Sequence, residues 1–125
     1  MIVLDNSAIL AVAFQETGAD AVTGLMNQAV LSAANLAEVL TVAERNDIDG
    51  EKLHLEILSS GVRVLPVRQA HARIAGQIWR AHPRSNLSLG DRLCLALAFS
   101  LNVSVLTSDR EMQTVGMGLS FSLFR

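Results

Sequence analysis

Four carboxylates stand where the surrounding sequence is apolar: Asp5 directly after Ile2-Val3-Leu4, Glu38 within NLAEVL, Asp91 within SLGDRLCLAL, and Asp109 after VSVLTS. The other eight of the 12 acids lie in polar surroundings and need no account beyond solubility. Brought together, four carboxylates would repel, since one pair about 4 Å apart costs about 4 kcal/mol at an effective dielectric of 20. Such a cluster takes up protons or binds a cation. The donors are all oxygen, with a single cysteine and no spaced pair of histidines, which favours a hard ion, Mg2+ or Mn2+. Each acid also has a structural reading. Asp5 and Asp109 can begin helices, and Asn35-x-x-Glu38 and Ser88-x-x-Asp91 both have the form of a capping box.

The elements that must position these acids follow from apolar periodicity and turn residues. Ile2-Val3-Leu4 reads as a buried strand. Asn6 and Ser7 can cap a helix through Phe14, and Thr17-Gly18 can start another running to about Asn27. Residues 29–33 form a weak second strand. Asn35 then caps a helix to about Arg45, with Leu36, Val39, Leu40 and Ala43 as its apolar stripe. Asp49-Gly50 is a turn before a helix over 51–59. A strand carries Val62, Val64 and Val67 and is closed by Pro66. The spacing predicts a helix over 69–81, a loop over 82–86, and the most apolar helix from Ser88 to near Asn102. Strands over 103–106 and 119–124 complete the chain.

Strands alternating with helices predict a three-layer α/β/α domain around a parallel sheet, spanning residues 1–125 as one unit. In an open parallel sheet, ligands bind outside the carboxyl ends of the strands. Asp5 and Asp109 fall at such ends, and Glu38 and Asp91 in the first turns of helices, so all four can point into one crevice.

Composition limits the alternatives. Half of the 125 residues are hydrophobic and mean hydropathy is +0.36, enough for a well-buried core and too apolar for a disordered chain. The most apolar run, residues 93–101, is far shorter than the roughly 20 residues that cross a bilayer. Asp5 interrupts the apolar start and no Lys or Arg precedes it, which argues against a secretory signal. Cys94 is the only cysteine, which excludes an internal disulfide and fits a reducing cytosol. Charge is uneven: residues 1–56 hold nine acids and two bases, and residues 57–125 three acids and eight bases. Arg63, Arg68, Arg73, Arg80 and Arg84 fall in a stretch without acids. They read either as solvated helix faces or as a positive flank for a phosphate backbone.

The strings IVLDNSA, NLAEV, SLGDRLCLALA and VLTSD, in this order and covering nearly the whole chain, resemble a PIN domain of the VapC toxin type. The resemblance implies a five-stranded parallel sheet and an endoribonuclease dependent on Mg2+ or Mn2+. It also implies inhibition by a cognate VapB-type antitoxin, and suggests a homodimer. By position, it assigns Asp5, Glu38, Asp91 and Asp109 to the family's four acids. Ser7 matches the small hydroxyl residue of the first motif and Thr107 the threonine before the last Asp, both expected to orient carboxylates and waters. Two residues depart from the pattern: Asn6 stands where Thr is commoner, and Met112 where an aromatic residue often follows.

Other readings are weaker. A phospho-accepting receiver domain uses a late lysine, and Lys52 is the only lysine. A haloacid-dehalogenase-type phosphatase wants a second Asp where Ser7 stands. His54, His71 and His82 have no pairing by spacing and read as surface residues. Cys94 reads as a core residue. Trp79 reads as core or dimer interface, with base stacking as the alternative. The rival of a different class is a PIN-like module that binds RNA or protein without cutting.

Overall fold

The computed structural model describes all residues, 1–125. Five strands, β1 (Ile2–Leu4), β2 (Ala29–Ser32), β3 (Arg63–Leu65), β4 (Ser104–Thr107) and β5 (Phe121–Leu123), form one sheet in the order β3-β2-β1-β4-β5. Every neighbouring pair is parallel. The helices are α1 (Asn6–Ala13), α2 (Ala19–Thr23), α3 (Ala33–Arg45), α4 (Gly50–Ser59), α5 (Gln69–Ala81) and α6 (Leu89–Leu101). Short 3-10 turns cover Met26–Gln28 and Arg110–Val115. The architecture is the three-layer α/β/α arrangement that the alternation of strands and helices implies.

The strand pleat divides the core in two. Leu4, Leu31 and Leu106 lie side by side in register and face α1, α2, α3 and α4, where they join Ile9, Val22, Val39, Leu53 and Ile57. One residue earlier, Val3, Val30 and Val105 point to the opposite face and pack on Ile78, Leu95, Ala98 and Met112. Both faces are covered, so these strands read as continuous apolar runs and not as alternating ones. Leu93 to Ala98 of α6 are all buried, which explains why this helix is the most apolar of the six.

Local capping fixes where the helices begin. Asp5 caps α1 through the Ala8 N–H, Ser32 caps α3 through Ala34, and Asp49 caps α4 through Glu51 and Lys52. Ser88 and Asp91 form a reciprocal capping box at α6. Several expectations are corrected here. Asn35 does not cap α3, because Ser32 does so three residues earlier; Glu38 therefore lies in the second turn, not the first. The segment from Thr17 breaks after five helical residues into a 3-10 turn. His71 is not a surface residue: it is buried, and its Nδ1 accepts the Arg68 N–H at the start of α5. Trp79 is 55% exposed and so does not belong to the core.

β1 is central, and the chain steps to β2 on one side and to β4 on the other. The carboxyl ends of β1 and β4 therefore flank the point where strand order reverses, the place at which open parallel sheets bind ligands. Asp5 follows β1 directly, and Ser108-Asp109 follow β4.

Candidate active site

Asp5 is 3% exposed, yet neither oxygen lacks a partner. Its Oδ1 accepts the Ser7 hydroxyl at 2.5 Å and the Ala8 N–H at 3.2 Å, and its Oδ2 accepts the Thr107 hydroxyl at 2.5 Å. Each hydroxyl is oriented in turn by backbone. The Ser108 N–H donates to Ser7 Oγ at 3.0 Å, and the Asp109 N–H donates to Thr107 Oγ1 at 2.9 Å. A hydroxyl oxygen occupied as an acceptor still has its hydrogen to give. The loop after β4 therefore aims both hydroxyls at the Asp5 carboxylate. Burial pushes the Asp5 carboxyl above its ordinary pKa; the bonds from Ser7, Thr107 and Ala8 oppose this, and the nearby charge of Asp91 adds to it.

Glu38 reaches over from α3 to the start of α6. A Cβ built on Gly90 would lie 1.4 Å from Glu38 Oε1, so only glycine leaves room for that carboxylate. Partial burial raises the Glu38 pKa, Asp91 raises it further, and the Asn6 amide acts the other way. Asp91 commits Oδ2 to the Ser88 N–H at 2.9 Å, and the Asp91 N–H returns to Ser88 Oγ at 3.1 Å. Its Oδ1 is left uncommitted by that box. The fully buried Cys94 thiol, which reaches the Leu4 carbonyl, is pushed well above its ordinary pKa, first by burial and then by Asp5, Asp91 and Glu38. One group thus feels all three acids. As they stand, no three acids close around a common point at chelating distance.

Asp109 is joined to this group differently. Its backbone N–H reaches Thr107 Oγ1, one hydroxyl from Asp5, while its Oδ1 accepts the Glu111 N–H and caps the Arg110–Val115 turn. Met112 in that turn is fully buried and packs on the α6 side of the sheet. Three further residues act together, which their places in the sequence do not reveal. Asn35, Asn6 and Gly90 form a connected set, with the Asn35 amide donating to both Asn6 Oδ1 and the Gly90 carbonyl. The available signal was an asparagine beside the apolar stripe of α3, three residues before Glu38. The largest hollow, about 740 Å3, lies away from these acids at the α1–α2 junction, lined by Gln15, Glu16, Gly18 and Asp20.

The sequence profile of the PIN domain family matches residues 2–117. The chain belongs to the PIN domain family. No curated protein matches this PIN domain in sequence. Its fold is similar to a DNA-bound VapBC complex from Salmonella typhimurium, at 20% identity and TM-score 0.76 over 99% of this chain and 98% of that one. VapBC-1 from nontypeable Haemophilus influenzae is similar at 21% identity and TM-score 0.72, over 99% and 98%. Mycobacterium tuberculosis VapC20, a toxin that cleaves the sarcin–ricin loop, is similar at 19% identity and TM-score 0.68, over 93% and 95%. No helix of the structure is long and apolar enough to cross a membrane.

Proposed function

We propose that this PIN domain is an endoribonuclease working with Mg2+ or Mn2+, the toxin of a type II toxin–antitoxin pair acting in the cytoplasm. The observation that carries the reading is the placement of three acids at the strand-order reversal: Asp5 at the end of β1, Glu38 Oε1 over Gly90, and Asp91 next to Gly90. There burial first and the charge of Asp91 second raise the pKa of Asp5 and Glu38. A divalent cation would relieve that repulsion, and the all-oxygen donor set suits a hard ion. Mg2+ keeps several waters and binds through one or two carboxylates, so it would need no closed cage of acids here.

Bound ions of this kind supply an activated water and stabilise charge on the phosphate and leaving oxygens. Asp5, fixed by Ser7 and Thr107, would be the rigid ligand. Glu38 and the uncommitted Oδ1 of Asp91 would complete the set, and Asp109 would hold a second ion or its water. Arg63, Arg68, Arg73, Arg80 and Arg84 are all exposed and none is in a salt bridge, the sole one being Arg125–Glu16. They would hold the RNA backbone.

The partner would be a VapB-type antitoxin. A groove of about 350 Å3 between α1, α2 and α4, lined by Ile9, Val12, Met26, Leu53 and Ile57, suits the apolar face of a helix. An arginine from the same partner would bridge two acids bidentately. A homodimer would cover exposed Trp79, Leu89 and Phe99. The test is cleavage of total RNA by purified protein with Mn2+, with EDTA, and with Asp5→Asn. Cleavage that needs both the ion and Asp5 supports the reading. Binding without cleavage under every condition points to the non-cutting module.

A further inference from the structure

We propose that Asn35 is a positioning residue that holds the Glu38 carboxylate against Asp91 by tying together the starts of α1, α3 and α6. It is 0% exposed, and its Nδ2 donates to Asn6 Oδ1 at 3.0 Å and to the Gly90 carbonyl at 3.2 Å. These partners are 29 and 55 residues away in sequence. The direction of the chain of bonds is fixed at one end. A backbone carbonyl only accepts, so the Asn35 amide nitrogen must face Gly90. Asn6 then presents its oxygen to Asn35, which leaves its own NH2 for the remaining neighbour, the Glu38 carboxyl. Burial and Asp91 raise the Glu38 pKa, and Asn6 works against that rise.

Each of the three joined helix starts carries one acid. Asp5 precedes Asn6, Glu38 lies one turn after Asn35, and Asp91 follows Gly90. The bond to Gly90 also holds in place the one residue whose missing side chain admits Glu38 Oε1. Meanwhile Asn35 Oδ1 is buried without a partner. A buried idle acceptor is unfavourable, a cost set against the two bonds that the Asn35 NH2 makes. The amide serves the geometry of the acids.

The proposal rests on the metal-site reading above, and the test separates the two. Mn2+ affinity of the purified full chain would be measured by calorimetry for wild type, Asn35→Ala, Glu38→Gln and the double variant, beside the melting temperature of each without metal. We expect Asn35→Ala to weaken Mn2+ binding on the order of tenfold, as loss of an outer partner does. In the Glu38→Gln background the same change should cost less than about twofold, because the group it positions is gone. Unchanged affinity in Asn35→Ala, or an equal loss in both backgrounds, overturns the proposal. Unchanged affinity in Glu38→Gln overturns the metal-site reading, and the proposal with it. If Asn35→Ala does not fold, Asn6→Ala at a half-buried position carries the same expectation and the same means of refutation.

Discussion

On the strand side of the acid cluster Asp5 is dry and fully hydrogen-bonded, whereas on the helix side Glu38 and Asp91 keep free oxygens and repel each other. The strand side is built from residues at two adjacent carboxyl ends, with backbone N–H groups setting two hydroxyls that set one carboxylate. On the helix side no hydroxyl reaches either carboxylate; Asp91 is tied through one oxygen to the Ser88 N–H, and the Asn35 bonds join the helix starts around Glu38. These carboxylates approach because Gly90 lacks a side chain and because α3 and α6 are packed together. The difference teaches that Asp5 is held by direct bonds to both of its oxygens, whereas Glu38 depends on how the helix starts are joined. Changes on the two sides should therefore fail in different ways.

The sharpest contrast comes from Asp5→Asn. An asparagine can still cap α1 and accept the Ser7 hydroxyl, and it removes a buried charge. RNA cleavage should fall at least about 100-fold, as expected when several kcal/mol of charge stabilisation are lost. The metal-free melting temperature should stay level or rise. A large drop would mean that Asp5 is chiefly a structural cap.

Gly90→Ala probes the other side. Its Cβ would displace Glu38 Oε1, so cleavage should fall on the order of 10-fold to 100-fold. Alanine is favoured over glycine in a helix by about 1 kcal/mol, so stability should hold or improve. Activity lost together with folding would contradict the picture of a carboxylate admitted by a missing side chain.

Thr107→Val leaves Asp5 Oδ2 and the Asp109 N–H each short of a partner. Here stability should fall by about 1–3 kcal/mol, read by urea denaturation, with activity down about tenfold. A neutral Thr107→Val would break the claim that the strand side is held by bonding.

The smallest effect is the pH dependence of the metal-free protein. Burial and mutual charge raise the folded pKa of Asp5 and Glu38 above their ordinary values of 3.8 and 4.5. Between the unfolded and folded values the native state binds more protons than the unfolded one, so these two acids make stability fall as pH rises. The penalty is absent below about pH 4 and complete once both acids ionise in the fold. Melting temperature against pH should show a shallower fall in Asp5→Asn than in wild type.

Much of this could be read along the chain. The helix Gln69–Ala81 has the bounds that periodicity implies, and Ser88 with Asp91 makes the capping box that the spacing suggests. Asp5 and Asp109 stand after parallel strands and both cap the turn that follows. These features are local, because a cap or an apolar stripe depends on residues within about one helical turn. Where two local answers competed, the sequence misled: Ser32 and Asn35 are both good caps, and the one adjoining the strand end begins α3. His71 looked exposed until its ring was seen to accept the Arg68 N–H.

What the sequence by itself determined is which residues carry charge, which stripes are apolar and where elements start and stop, since each rests on near neighbours. What only the tertiary structure decided is which of them touch. Thr107 reaches Asp5 across 102 residues, Asn35 reaches Gly90 across 55, and Glu38 occupies the space above Gly90. No spacing rule encodes those pairs, because they arise when crossovers bring the starts of α1, α3 and α6 to one end of a parallel sheet.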